Sequence, residues 1–118
     1  MPSVRVHVVR EIADQVEEQD MVSLLDQLRM QVATVFGFDV SEVEAMWMPL
    51  EHSRNTCSIN VDVMYSISDA FCPNKDTKNS VIDRVLGLMT AASSLPKGIE
   101  ISCWMLPQRD AIYKTAKR

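Results

Sequence analysis

Pro2 is the residue of this chain best placed by type and position to do chemistry. Removal of Met1 ahead of a proline is the usual processing, and it leaves a secondary amine at the head of a strand. Ordinary α-amino groups titrate at about 7.7 to 8.0, and burial or nearby cations lower that value by disfavouring the ammonium form. Such an amine is neutral near pH 7, where a general base for proton transfer beside a carbonyl has to be. The other reactive types point nowhere in particular. His7 and His52 are the two histidines, and neither has a second ligand at metal spacing, so no metal site is expected. Cys57, Cys72 and Cys103 are odd in number and unpaired in spacing, which predicts reduced packing thiols and neither disulfides nor a zinc knuckle. Gly37, Gly87 and Gly98 are scattered, so no phosphate-cradling loop and no nucleotide site are expected.

The elements that must hold Pro2 are written twice. Ser23-Leu24-Leu25-Asp26-Gln27-Leu28 returns 57 positions on as Ser80-Val81-Ile82-Asp83-Arg84-Val85. Val4 and Val6 meet Val61 and Val63 at that offset, Val32 meets Met89, and Trp47-Met48 meets Trp104-Met105, which predicts a repeat without insertion. Val4 to Val8 alternates with period two, as a half-buried strand does. From about Asp20, Met21, Leu24, Leu25, Leu28, Val32, Val35 and Phe36 recur at helical spacing, and Gly37 stands at the C-terminal cap position. The preamble Asp14 to Asp20 reads as an extra helical turn or a loop. Val43 to Met48 is a second strand with Pro49 as its stop. The second copy gives a strand over Ser58 to Tyr65, a helix with Val81, Ile82, Val85, Leu86 and Met89 inward, a turn at Leu95 to Gly98, and a strand from Ile99 to Leu106 that Pro107 stops.

The resulting order is β-α-β-β-α-β, an α/β (α+β) fold of duplicated β-α-β units: a four-stranded mixed sheet with two helices on one face, because each crossover is right-handed. At 118 residues this is a single domain with halves at about 2–54 and 58–109. With the valines under the helices, the other face carries Arg5, His7 and Val9 from the first copy and Asn60, Asp62 and Met64 from the second. His7 has Asp62 as its expected partner there. A bare face of this size, apolar at its Met and Trp positions, predicts a homo-oligomer that covers it. The same linear order describes ferredoxin-like binding modules, in which Pro2 has no role.

A formal charge of -4 argues against a general nucleic-acid binder, and the basic tail Lys114 to Arg118 reads as a solvated end. No apolar run approaches the ~20 residues of a membrane span, and the start has no signal-peptide pattern, so a cytoplasmic protein is expected.

Taken with the repeat and the length, Pro2-Ser3-Val4-Arg5-Val6, Trp47, Val61-Asp62-Val63-Met64-Tyr65 and Lys75-Asp76-Thr77-Lys78 carry a resemblance to the tautomerase superfamily. The branches it is most similar to are the 5-carboxymethyl-2-hydroxymuconate isomerases and, more distantly, the macrophage migration inhibitory factors. The resemblance spans about Pro2 to Leu106. It implies a cofactor-independent homotrimer in which Pro2 is general base and acid on an anionic keto or enol acid. It also implies cations that hold the substrate carboxylate, for which Lys75, Arg10, Arg54 and Arg109 are the candidates, with Trp104 lining the pocket and Tyr113 reaching a neighbouring subunit. A family arginine falls here at Glu42 or Glu44, which leaves a fold kept without its activity as an alternative. Isomerisation, decarboxylation and hydration all remain open as the reaction.

Overall fold

A computed structural model describes residues 2–53, 55–109 and 116–117, Arg109 by its backbone only. The elements run β1 (Ser3–Val9), α1 (Arg10–Ala13), α2 (Glu18–Phe36), a 3-10 turn (Val40–Glu42), β2 (Glu44–Leu50), β3 (Ile59–Ile67), α3 (Lys75–Ala91) and β4 (Ile101–Arg109). The strands form one sheet in the order β2-β1-β3-β4. β1 is parallel to β2, β3 is parallel to β4, and the two units join where β1 and β3 run antiparallel. Each β-α-β unit therefore keeps its two strands side by side. A ferredoxin-like domain splits its β-α-β units and interleaves their strands, so this topology overturns the ferredoxin-like alternative.

The repeat shows in the core. Val4, Val6 and Val8 of β1 and Ile59, Val61 and Val63 of β3 are all 0% exposed beneath the helices. Leu24, Leu28 and Val32 of α2 come down on them, and Val81, Val85 and Met89 of α3 do so 57 positions later. Burying each such side chain stabilises the fold by roughly 1.5–3 kcal/mol, so the two helices are held chiefly by this valine floor. The helix ends differ between the copies. α2 stops at Gly37 in the left-handed region (φ 78°), whereas α3 stops at an extended Ala92. Asn74 caps the start of α3, its side chain accepting from the Thr77 N–H at 2.8 Å. Of the preamble, residues 14–17 are a turn and a short link and Glu18 to Asp20 already belong to α2; the extra helical turn, α1, lies ahead of it and buries Ile12.

Between α3 and β4 the repeat slips by one residue. Arg5 pairs with Met46 and Asp62 with Trp104; Val8 pairs with Pro49 and Tyr65 with Pro107. Arg5 and Asp62 are 57 apart, but Met46 and Trp104, like Pro49 and Pro107, are 58 apart. A one-residue shift turns every side chain of a strand to the opposite face. Trp47, level with Val6, packs against the core from the helix side, while Trp104, level with Asp62, lies on the other face and is 48% exposed. The expected insertion-free repeat does not hold, and the two tryptophans it aligned stand on opposite faces. The prolines are also not stops: β2 continues through Pro49 to Leu50 and β4 through Pro107 to Arg109. Both lie on edge strands, where a residue without an N–H costs the ladder nothing if that position faces outward.

Candidate active site

Pro2 is buried immediately ahead of β1, and its carbonyl accepts a hydrogen bond from the Glu44 N–H at 3.2 Å. Ser3 lies between Glu44 of β2 and Met64 of β3. One step further in the same register, Pro2 comes level with Tyr65, on the face it shares with Val4. Tyr65 is only 2% exposed. Its ring meets Phe36 at 5.5 Å and Phe71 at 6.3 Å between centroids, and Phe71 meets Phe38 at 5.0 Å. Three segments supply this cluster: the last residue of α2, the stretch after the Gly37 turn, and the loop from β3 to α3. Burial pushes the Tyr65 phenol above its ordinary pKa, with Cys72 of the same loop adding to the shift. The ring therefore stays a neutral hydrogen-bond donor over the physiological range.

The strand beside Pro2 is pinned by a residue that the sequence pattern had not brought forward. Arg29 of α2 donates from Nε to the Val43 carbonyl at 2.8 Å and from Nη2 to the Val40 carbonyl at 3.1 Å, while Nη1 pairs with Asp26 at 3.2 Å. It lines an open groove of about 390 Å³ with Leu25, Val43, Glu44 and Met46 along the outer edge of β2. The Asp26–Arg29 spacing of i,i+3 was its only mark in the sequence. Glu42 is taken up locally, accepting from the Asp39 N–H at 3.2 Å in a capping box. Glu44 is exposed.

The expected substrate-binding residues separate into those that reach the Pro2 end of the sheet and those that do not. Lys75 is exposed at the first turn of α3, after a loop that leaves β3 at Ile67, level with the backbone of Arg109. Both positions lie at the Pro2 end, because β3 and β4 run opposite to β1. Arg10 lies beyond the far end of β1, about 26 Å from Pro2 at the usual strand rise. There it pairs with Glu51, Nε to Oε1 at 2.6 Å. Within one chain Arg10 does not meet Pro2. Trp104 is on the sheet face away from the helices, and its Nε1 donates to the Ser102 hydroxyl at 2.9 Å. Arg54, Tyr113 and the side chain of Arg109 lie outside the described residues.

The bare face is polar at its centre and apolar at its edges. His7 Nε2 stands 3.1 Å from Asp62 Oδ2, the partner expected for it. Asn60, 1% exposed, accepts through Oδ1 from Ser102 and from Asn55 Nδ2, the latter at 2.7 Å. Arg5 Nε is sealed from solvent without a hydrogen-bond partner among the described residues. Met46, Trp104 and Leu106 remain exposed on the flanking edge strands. On the helix side, burial and, to a lesser extent, Asp62 push the Cys103 thiol up to about 12, while all three cysteines are free. No described helix is long and apolar enough to cross a membrane.

No protein-family model matches the sequence, and no curated protein matches it. Solved structures do match. The asymmetric trimer of fused 4-OT has a TM-score of 0.73 at 9% identity over 98% of this chain and 94% of its own. Pt0534 inactivated by 2-oxo-3-pentynoate has a TM-score of 0.70 at 15% identity over 97% of this chain and 91% of its own. The macrophage migration inhibitory factor-like protein of Entamoeba histolytica has a TM-score of 0.68 at 14% identity over 96% of this chain and 95% of its own. Identities this low speak to architecture: the chain has the fold of the tautomerase superfamily.

Proposed function

We propose that this protein is a cofactor-independent tautomerase or isomerase in which Pro2, freed of Met1, is general base and acid toward an anionic keto or enol acid, and that it works as a homotrimer. The observation that carries this is the burial of Pro2 at the head of a central strand of a tautomerase fold, held by its carbonyl to Glu44. The nitrogen lone pair takes a proton from the carbon beside the substrate carbonyl, the electron pair moves onto the oxygen, and the same proton is returned to oxygen or to another carbon. Burial lowers the affinity of the amine for that proton, which favours the free base. Lys75 and Arg109, at the same end of the sheet, are the cations proposed to hold the carboxylate. The bare face, with Met46, Trp104 and Leu106 exposed around a hydrogen-bonded polar centre, is the surface proposed to close in the trimer.

A second reading, in which the fold persists without turnover, is favoured by Glu44, an exposed carboxylate next to Pro2 where the resemblance calls for a cation. Intact mass decides whether Met1 is removed, and a retained Met1 removes Pro2 as a base. Enol-to-keto conversion of phenylpyruvate or 2-hydroxymuconate is then compared between the processed protein and Pro2→Ala. Turnover that Pro2→Ala abolishes supports the enzyme; equal inactivity of both proteins across several acids supports the second reading. Since Pt0534 is inactivated by 2-oxo-3-pentynoate, the same reagent should label this protein once, at Pro2.

A further inference from the structure

We infer that Tyr65 is a catalytic residue of this site, its hydroxyl donating a hydrogen bond to the keto oxygen of the substrate as Pro2 removes the neighbouring proton. This rests on the proposed function of Pro2 and adds to it the group that receives the developing charge.

The argument begins with register. β3 continues past its last paired residue on β1, Met64 opposite Ser3, and the next residue, Tyr65, comes level with Pro2 on the face that carries Val4 and Val63. The two side chains leave adjacent strands roughly 5 Å apart, pointing the same way. A reacting carbonyl placed against the Pro2 nitrogen is then within reach of a group carried on the Tyr65 ring.

The hydroxyl is also unspent. A buried tyrosine normally satisfies its O–H within the protein. The Tyr65 ring is fixed by Phe36 and Phe71, yet among the described residues nothing hydrogen-bonds to its oxygen. Arg5 Nε is the side-chain donor that is sealed off without a partner, so the Tyr65 hydroxyl keeps access to solvent although the residue is 2% exposed. A rigid ring with one open polar end is a preorganised donor: it needs no reorganisation when charge builds on an oxygen placed before it. Phe71 packs on the ring and Cys72 is close enough to raise its pKa, and both belong to the loop that leads to Lys75 at the start of α3. A keto oxygen at Tyr65 and a carboxylate at Lys75 fit a 2-oxo acid, whose two oxygen-bearing carbons are adjacent.

The test uses the processed full chain with Tyr65→Phe, which keeps the ring packing and removes only the oxygen. Benzoylformate serves as the binding probe, because it is a 2-oxo acid with no proton to lose and so needs no turnover. Tyr65→Phe is expected to weaken benzoylformate binding about tenfold in calorimetry. On phenylpyruvate, Tyr65→Phe is expected to lower kcat by about 10²-fold with little change in KM, as loss of an oxyanion donor does. A thermal midpoint close to that of the parent shows that the fold is intact. Equal benzoylformate affinity in Tyr65→Phe, or no binding to the parent, overturns the assignment. Failure of the Pro2 proposal reads differently: Pro2→Ala would keep its turnover, and the benzoylformate comparison would still judge Tyr65.

Discussion

The two β-α-β units are alike where they pack and unlike where they begin and end. Leu24, Leu28 and Val32 have the roles of Val81, Val85 and Met89, so the middle of each unit answers only to the shared valine floor. At the head of β1 stands Pro2, and 57 positions on, at the head of β3, stands Ile59. Both are buried, but Ile59 continues the core while Pro2 comes level with Tyr65 across the sheet. At the tails the register slips by one residue, and a tryptophan that packs on the core in one unit lies on the bare face in the other. Duplication thus preserved what the core needs, while the sheet ends, free of that demand, diverged.

Truncating the two strand openings tests this contrast most severely. Pro2→Ala is expected to lower turnover of an enolisable acid by at least about 10²-fold, the scale of a lost general base, with a change in unfolding free energy within about 1 kcal/mol. Ile59→Ala is expected to do the reverse, costing about 2–5 kcal/mol in urea unfolding through the cavity it leaves, with kcat of the folded fraction unchanged. Equal effects on activity would erase the difference between the openings. In the middle of the units the copies should respond alike: Leu28→Ala and Val85→Ala, equivalent and both 0% exposed, are expected to cost about 2–5 and about 2 kcal/mol, the gap reflecting side-chain size alone.

The same contrast explains what the sequence disclosed. The helices and the valine strands were legible because burial imposes a period, 3.6 for Leu24, Leu28 and Val32 and 2 for Val4, Val6 and Val8. Pro2 was legible through its position alone. The slip was not: Trp47 and Trp104 share a dipeptide, and nothing in a local pattern says which face an edge strand presents when one of its faces is left bare. Pro49 and Pro107 were misread as stops because whether a strand is an edge depends on sheet order, which the linear sequence does not contain. Arg10 was put forward by the resemblance, and what the sequence did not display is its distance from Pro2 within one chain, since an extended strand turns eight residues into most of the length of the sheet. Tyr65 and Arg29 did not stand out because what surrounds them, Phe36 and Phe71 for one and the Val40 and Val43 carbonyls for the other, comes from other segments.

A smaller effect separates the two edge strands. Allowing for the slip, Cys103 of β4 stands where Ala45 of β2 does, on the helix side. Burial raises the Cys103 thiol from 9.0 to about 12. A folded-state pKa above the unfolded value gives stability that is complete below pH 9 and is lost as pH rises toward 12, because the unfolded chain releases the proton first. Cys103→Ala, which copies the first unit, should therefore make urea midpoints fall less steeply between pH 8 and pH 10.5. Exposed Cys72 should react with a thiol reagent at pH 8 while Cys103 stays protected.

The smallest expected effects, opposite in sign, come from two glycines that look interchangeable by space alone, since a Cβ on either meets nothing within 4 Å. Gly37 ends α2 at φ 78°, a conformation that a side chain disfavours by about 1 kcal/mol, so Gly37→Ala should lower the thermal midpoint by a few degrees. Gly87 lies inside α3 at an exposed position where the first unit has Met30, itself 54% exposed. There the backbone is helical and glycine is simply the less helix-favouring choice, so Gly87→Ala should raise stability by about 0.5–1 kcal/mol. Two shifts of the same sign would mean that the ends of α2 and α3 are under the same constraint, and that the divergence at the unit tails begins later than the cap.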